Sequence, residues 1–236
     1  MMERYRQVIF FGQFESISFD ALRTIDEVIR DDLGLVKTTA APDIRYTADA
    51  ANYSTGASIQ RPLLLSENEK YVLQLGSKCI VWRQLDAEDD YEDFINKSMT
   101  IAKVLKEKFE ISYNRFACTG SFIRIDREKM ETIYREVFNV KETNANVLVP
   151  KNTNEWNFTI SEKKQVGNLD SEINRIRRVI CGERIIGSDG TDAGGAVIEH
   201  ECNTVIHKDN KLSLKQFDYF MQEARNLREL ILGAIK

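Results

Sequence analysis

Histidine is scarce in this chain, and so are the arrangements that make histidine and cysteine reactive. The 236 residues include only two histidines, His200 and His207, and four cysteines, Cys79, Cys118, Cys181 and Cys202. No C-x-x-C pair occurs, which removes zinc-ribbon, zinc-finger and thioredoxin-type redox chemistry. Cys79 and Cys118 sit among apolar, strand-like neighbours and read as buried free thiols rather than disulfide partners. There is no G-x-S-x-G nucleophile elbow, no G-x-x-x-x-G-K-[ST] phosphate loop and no complete calcium loop. Long apolar runs are also missing. The run Val8-Ile9-Phe10-Phe11 falls far short of the roughly 20 residues that span a bilayer, so no membrane association is expected and the location reads as cytoplasmic. Nor is there a basic excess: 33 Lys+Arg against 37 Asp+Glu leave a net charge of −4, which gives no global argument for nucleic acid.

What is present is ordinary globular material, with 42% hydrophobic and 30% charged residues and enough length for a real core. The spacing predicts a strand over 7–14, then a helix in which Leu22, Ile25, Ile29 and Leu33 recur at helical intervals between a Ser18 cap and a Gly34 stop. Residues 38–62, rich in Ala, Thr and Ser and without a clear period, read as a long loop. Loops of that length tend to be functional or disordered. A meander follows over 62–65, 71–75 and 79–82. The acidic stretch 86–93 opens a long helix with Tyr91, Phe94, Ile95, Ala102, Leu105 and Phe109 on one face. A strand is expected over 112–125 and a shorter helix after Asp126.

The polar, Asn-rich stretch 139–154 is the candidate boundary between two halves, residues 1–140 and 141–236. Beyond it, Trp156, Phe158 and Ile160 alternate with Asn157 and Thr159 as in a half-buried strand. Residues 172–180 are ambiguous, since Leu169, Ile173, Ile176 and Ile180 fit a helix while a hairpin mate for the Trp156 strand fits the topology; strand is preferred. A glycine-rich turn over 187–195, a strand over 196–207 and a Ser213-capped helix complete the chain. The order implies an α+β fold: antiparallel sheet meanders with helices packed on one face, a two-layer sandwich of two similar-sized halves.

The meander Leu64-Leu65-Ser66-Glu67-Asn68, Tyr71-Val72-Leu73-Gln74-Leu75 and Ile80-Val81-Trp82-Arg83 resembles the central signature of a sporadically distributed bacterial family of uncharacterised proteins. A polar turn leading into the Tyr91–Phe94 helix opening, and an ending of strand, Leu212-Ser213-Leu214 and helix, are similar to that family as well. The resemblance covers most of the chain. It implies a role in mobile elements or genomic conflict, such as phage defence or a toxin–antitoxin pair, and it brings no catalytic residues.

Four constellations remain. Glu199, Glu201, Asn203 and His207 share one face of their strand, and Asp189 and Asp192 precede them, so a metal-dependent enzyme built on residues 189–201 is one alternative. Glu201 and His207 lie roughly 20 Å apart along a strand, too far to share an ion, so no metal site is assigned. His200 and Cys202 share the other face, the one pairing open to nucleophilic catalysis. The bases Lys163, Lys164, Arg175, Arg177 and Arg178 are the candidate nucleic-acid face. Arg45, Tyr46 and Tyr53 in the long loop, with Asp89, Asp90 and Asp93 in the acidic stretch, are the candidate partner-binding residues. With no catalytic set or cofactor implied, the sequence reads as a non-enzymatic binding protein acting through a protein partner or self-association, with nucleic-acid binding as the alternative.

Overall fold

The computed structural model describes residues 2–46, 53–85, 87, 90–124, 156–169, 171–186, 192–205 and 211–234. Its strands are β1 (Met2–Gly12), β2 (Leu35–Tyr46), β3 (Tyr53–Ser66), β4 (Tyr71–Leu75), β5 (Cys79–Leu85), β6 (Tyr113–Arg124), β7 (Trp156–Val166), β8 (Ser171–Ile186) and β9 (Asp192–Thr204). Helix α1 spans Tyr91–Phe109 and α2 spans Leu214–Ala234. All nine strands form one sheet in the order β2-β3-β4-β5-β1-β6-β9-β8-β7. Every pairing is antiparallel. The β6–β9 ladder, from Ala117↔Asn203 to Arg124↔Ala196, joins the strands of residues 1–140 to those that follow.

The helices and one face of the sheet share a single apolar core. Val8 and Phe10 of β1, Ile80 and Trp82 of β5, Phe116, Cys118 and Phe122 of β6, and Ile198 and Cys202 of β9 meet α1 through Phe94, Ile101 and Leu105 and α2 through Phe217, Phe220, Met221 and Leu227. Aromatic rings lie at its centre, with Phe116 4.8 Å and Phe10 5.1 Å from Phe217 between centroids. The alternate residues Ile9, Cys79, Val81 and Ala117 form a smaller buried cluster on the opposite face, as the two-residue period of a strand requires.

Each helix is started by its own sequence. Asp90 caps α1 by accepting from the Glu92 amide at 3.0 Å. Ser213 and Gln216 form a reciprocal cap on α2: the Ser213 hydroxyl accepts from the Gln216 amide at 3.2 Å, and the Gln216 side chain accepts from the Ser213 amide at 2.8 Å. Gly34 ends the first helical segment at φ +65°, the left-handed conformation that favours glycine. That segment is not a regular α-helix. It runs as a 3-10 turn over Ala21–Ile25 and a π-turn over Val28–Asp32, while still burying Leu22, Ile29 and Leu33.

The expected long loop over 38–62 is overturned. Residues 38–46 and 53–62 belong to β2 and β3, paired from Leu35↔Ser66 to Tyr46↔Tyr53. Alternation was invisible because β2 lies at the sheet's end and Val36 through Ala40 are all exposed. Beside the buried Leu35 and Leu64, two polar inward groups help hold this hairpin. The Asp43 carboxylate accepts from the Ser77 amide at 2.8 Å and the Ser77 hydroxyl at 2.5 Å. Arg61 donates to the carbonyls of Leu75 at 3.0 Å and Phe14 at 2.6 Å. Residues 172–180 are strand, within β8. The expected helix after Asp126 and the boundary at 139–154 lie outside the described residues, as does most of the turn at 187–195.

Candidate functional site

The strand periodicity placed the histidine and cysteine correctly, and the structure shows what that placement does. His200 and Cys202 both point into the core beneath the helices. His200 is 2% exposed and stacks on Phe122 at 5.5 Å, and both of its ring nitrogens lack a hydrogen-bond partner. Its tight seat needs Gly120 opposite: a Cβ there would lie 2.5 Å from Nε2. Burial, with help from Arg228 and Arg6, lowers the imidazole pKa to about 3. Burial also pushes the Cys202 thiol far up and lifts Cys118 to about 12. A thiolate–imidazolium pair needs shifts of the opposite sign, so these residues are packing groups.

The five candidate bases are separated by the sheet. Lys164 donates to Glu223 of α2 at 2.8 Å, and Arg175 also bonds Glu223. Arg177 donates to Glu162 at 2.6 Å and Arg178 to Glu199 at 2.8 Å. Burial raises the Glu223 carboxyl, but the hydrogen bonds from Lys164 and Arg175 outweigh it and hold the group below the usual carboxylate range. Lys163, exposed on the other face, is the one base of the five without a carboxylate partner among the described residues.

The acidic candidates likewise have local work. Asp90 is the α1 cap, and Asp93 pairs with Lys97 at 2.9 Å one turn on. Their neighbour Glu92 bonds Arg225 of α2. Asp89 lies outside the described residues. The backbone sets Arg45 and Tyr46 at the end of β2 and Tyr53 opposite Tyr46 at the start of β3. The side chains of Arg45, Tyr46 and Tyr53, like Asp89, lie outside those described. Of the metal candidates, Glu199 and Glu201 share the outward face of β9, whereas Asp189 and His207 are not described. Among the described residues, no group of three or more His, Cys, Asp or Glu side chains could hold a metal ion.

Two arrangements escaped sequence reasoning. In the first, Glu3 receives Arg6 at 3.0 Å and Arg228 at 2.8 Å, and the two guanidinium groups lie 5.2 and 4.4 Å from the Tyr91 ring. Arg228 also pairs with Glu229 at 2.8 Å, so two carboxylates meet two guanidinium groups in a structural cluster that ties β1 to both helices. The second is the outer edge of β7, which ends the sheet among the described residues. β7 is a terminal strand of the sheet and runs in unbroken register with β8 for all its 11 residues, Trp156↔Cys181 to Val166↔Ser171. It contains no proline and no bulge. Asn157, Thr159, Ser161 and Lys163 are exposed on one face, and Ile160 is 45% exposed on the other. A terminal strand in unbroken register offers a row of backbone donors and acceptors to an added strand. The alternation of Trp156, Phe158 and Ile160 signalled the strand, but nothing local signals that it ends the sheet.

The chain matches no family model, and no curated protein matches it. No helix among the described residues is long and apolar enough to cross a membrane.

Proposed function

We propose that the protein is a non-catalytic binding module that receives a protein partner by strand addition along β7. The observation that carries this reading is the bulge-free strand that ends the sheet among the described residues, with its exposed Ile160. Burial of His200, Cys118 and Cys202 in their neutral forms supports a binding role over nucleophilic catalysis. In this reading the helices and sheet act as a two-layer platform that keeps β7 rigid through the Lys164–Glu223–Arg175 link to α2. The nucleic-acid alternative has less support, because four of its five bases already have carboxylate partners. The resemblance of the β3–β5 meander to a sporadically distributed bacterial family is the sole support for placing this module in a phage-defence, toxin–antitoxin or mobile-element system.

A photo-crosslinking amino acid placed at Thr159 of β7 or at Thr39 of β2, in the full chain at native level, tests the reading. The expected result is a discrete protein adduct from position 159 and none from position 39, with the adduct lost when Ile160→Lys is added. Equal adducts from both positions, or none from 159, would overturn it. So would hydrolase activity that His200→Ala abolishes while the thermal unfolding midpoint holds.

A further inference from the structure

We infer that the strand added to β7 is the β7 of a second copy, antiparallel and centred on Thr159 or Ile160, so that two sheets become one. The inference rests on the reading of β7 as the binding edge and names its occupant.

Symmetry limits the choices. A two-fold axis perpendicular to a sheet must pass beside one residue that faces its own copy, and opposed residues then lie on the same face. Centring on Glu162 or Lys163 sets like charges directly against each other, which destabilises a cross-strand pair. Centring on Ser161 opposes Ile160 to Glu162 and leaves the two Glu162 side chains as diagonal neighbours. Centring on Ile160 opposes Ile160 to itself, Phe158 to Glu162 and Thr159 to Ser161, and centring on Thr159 opposes Phe158 to Ile160. No like charges then meet, and the exposed isoleucine is covered on both sides. Glu162 and Lys164, nearest the centre on the apolar face, arrive already paired with Arg177 and Glu223. The opposite edge does not offer this: β2 carries Pro42 and register shifts at Leu35/Lys37 and Pro42/Asp43.

Sedimentation equilibrium of the full chain, with disulfide mapping of cysteine variants, tests the pairing. Wild type is expected to approach twice the chain mass as concentration rises. Ile160→Lys, which would set two ammonium groups face to face or on the diagonal, is expected to raise the dimer dissociation constant about tenfold or more while keeping the wild-type circular dichroism spectrum. Under mild oxidation Ile160→Cys is expected to give a dimer disulfide that maps to residue 160 of both copies, and Glu162→Cys is not. A wild type that stays monomeric at its solubility limit overturns the inference, as does a disulfide that forms at 162 and not at 160. The outcomes separate the two claims. A monomer whose residue 159 still crosslinks to a different protein sinks self-pairing and leaves strand addition standing; a monomer with no adduct at 159 sinks both.

Discussion

β2 and β7 end the same sheet, yet β2 is broken by Pro42 and two register shifts whereas β7 runs its 11 residues without interruption. Their anchoring differs too. The β2–β3 hairpin is held in part by the polar side chains Asp43 and Arg61, which bind the β4–β5 turn and the chain after β1. The β7–β8 pair is held by an ion pair to a helix, Lys164 and Arg175 on Glu223. Proline and bulges are devices that stop one sheet from extending into another, and among the described residues they occur in β2 and not in β7. The contrast teaches that an unguarded edge is informative when the same chain shows that it can guard one.

The largest effect is expected at the β7 anchor. Glu223→Ala leaves Arg175, only 7% exposed, without its carboxylate, and should cost about 3 kcal/mol in urea unfolding. A loss below about 1 kcal/mol would mean that the link to α2 does not hold this edge. At the other edge, Arg61→Ala removes donors to the Leu75 and Phe14 carbonyls and should cost about 2 kcal/mol, with faster amide exchange in β2 and β3 and none in β7. Exchange that rises equally in both edges would show that they are not independently held.

Between the edges lies the β6–β9 seam, where His200 sits on Gly120. Its folded pKa of about 3 is below the usual 6.5 of the unfolded chain, so below pH 6.5 the unfolded state binds the proton and the native state does not. The stability due to the neutral imidazole is full above 6.5 and declines as pH falls toward 3, by up to about 1.4 kcal/mol per pH unit. His200→Leu should flatten the stability profile in that window relative to wild type. Parallel profiles for the two proteins would contradict the burial argument. The Glu223 link adds acid sensitivity of the same sign, since a lowered carboxyl pKa gives stability that is lost as pH falls through the folded value. The smallest effect concerns Ile160→Lys, which in dilute protein should change unfolding stability by less than about 0.5 kcal/mol because the side chain is nearly half exposed.

Much of the fold could be read locally. The Tyr71–Leu75 strand, the Gly34 stop, the Asp90 and Ser213 helix starts and the inward turn of His200 and Cys202 all follow from short-range periodicity or capping. The preference for strand over 172–180 came from topology and matches β8. The β2–β3 hairpin was missed because its exposed Ala and Thr residues leave no apolar alternation, while the side chains that anchor it, Asp43 and Arg61, look like surface charges. Glu3–Arg228 and Arg175–Glu223 were equally hidden, since the partners of a buried charge can lie anywhere in the chain. The candidate site falls between these cases. The alternation at Trp156, Phe158 and Ile160 revealed a strand, but strand order decides whether its far side is open, and strand order is a tertiary property.

The most direct test of the account is amide hydrogen exchange of the full chain, read strand by strand at low and high protein concentration. The account predicts that β7 amides slow at high concentration while β2 amides do not change. β7 amides that exchange at the same rate at both concentrations, or slowing confined to β2, would contradict it.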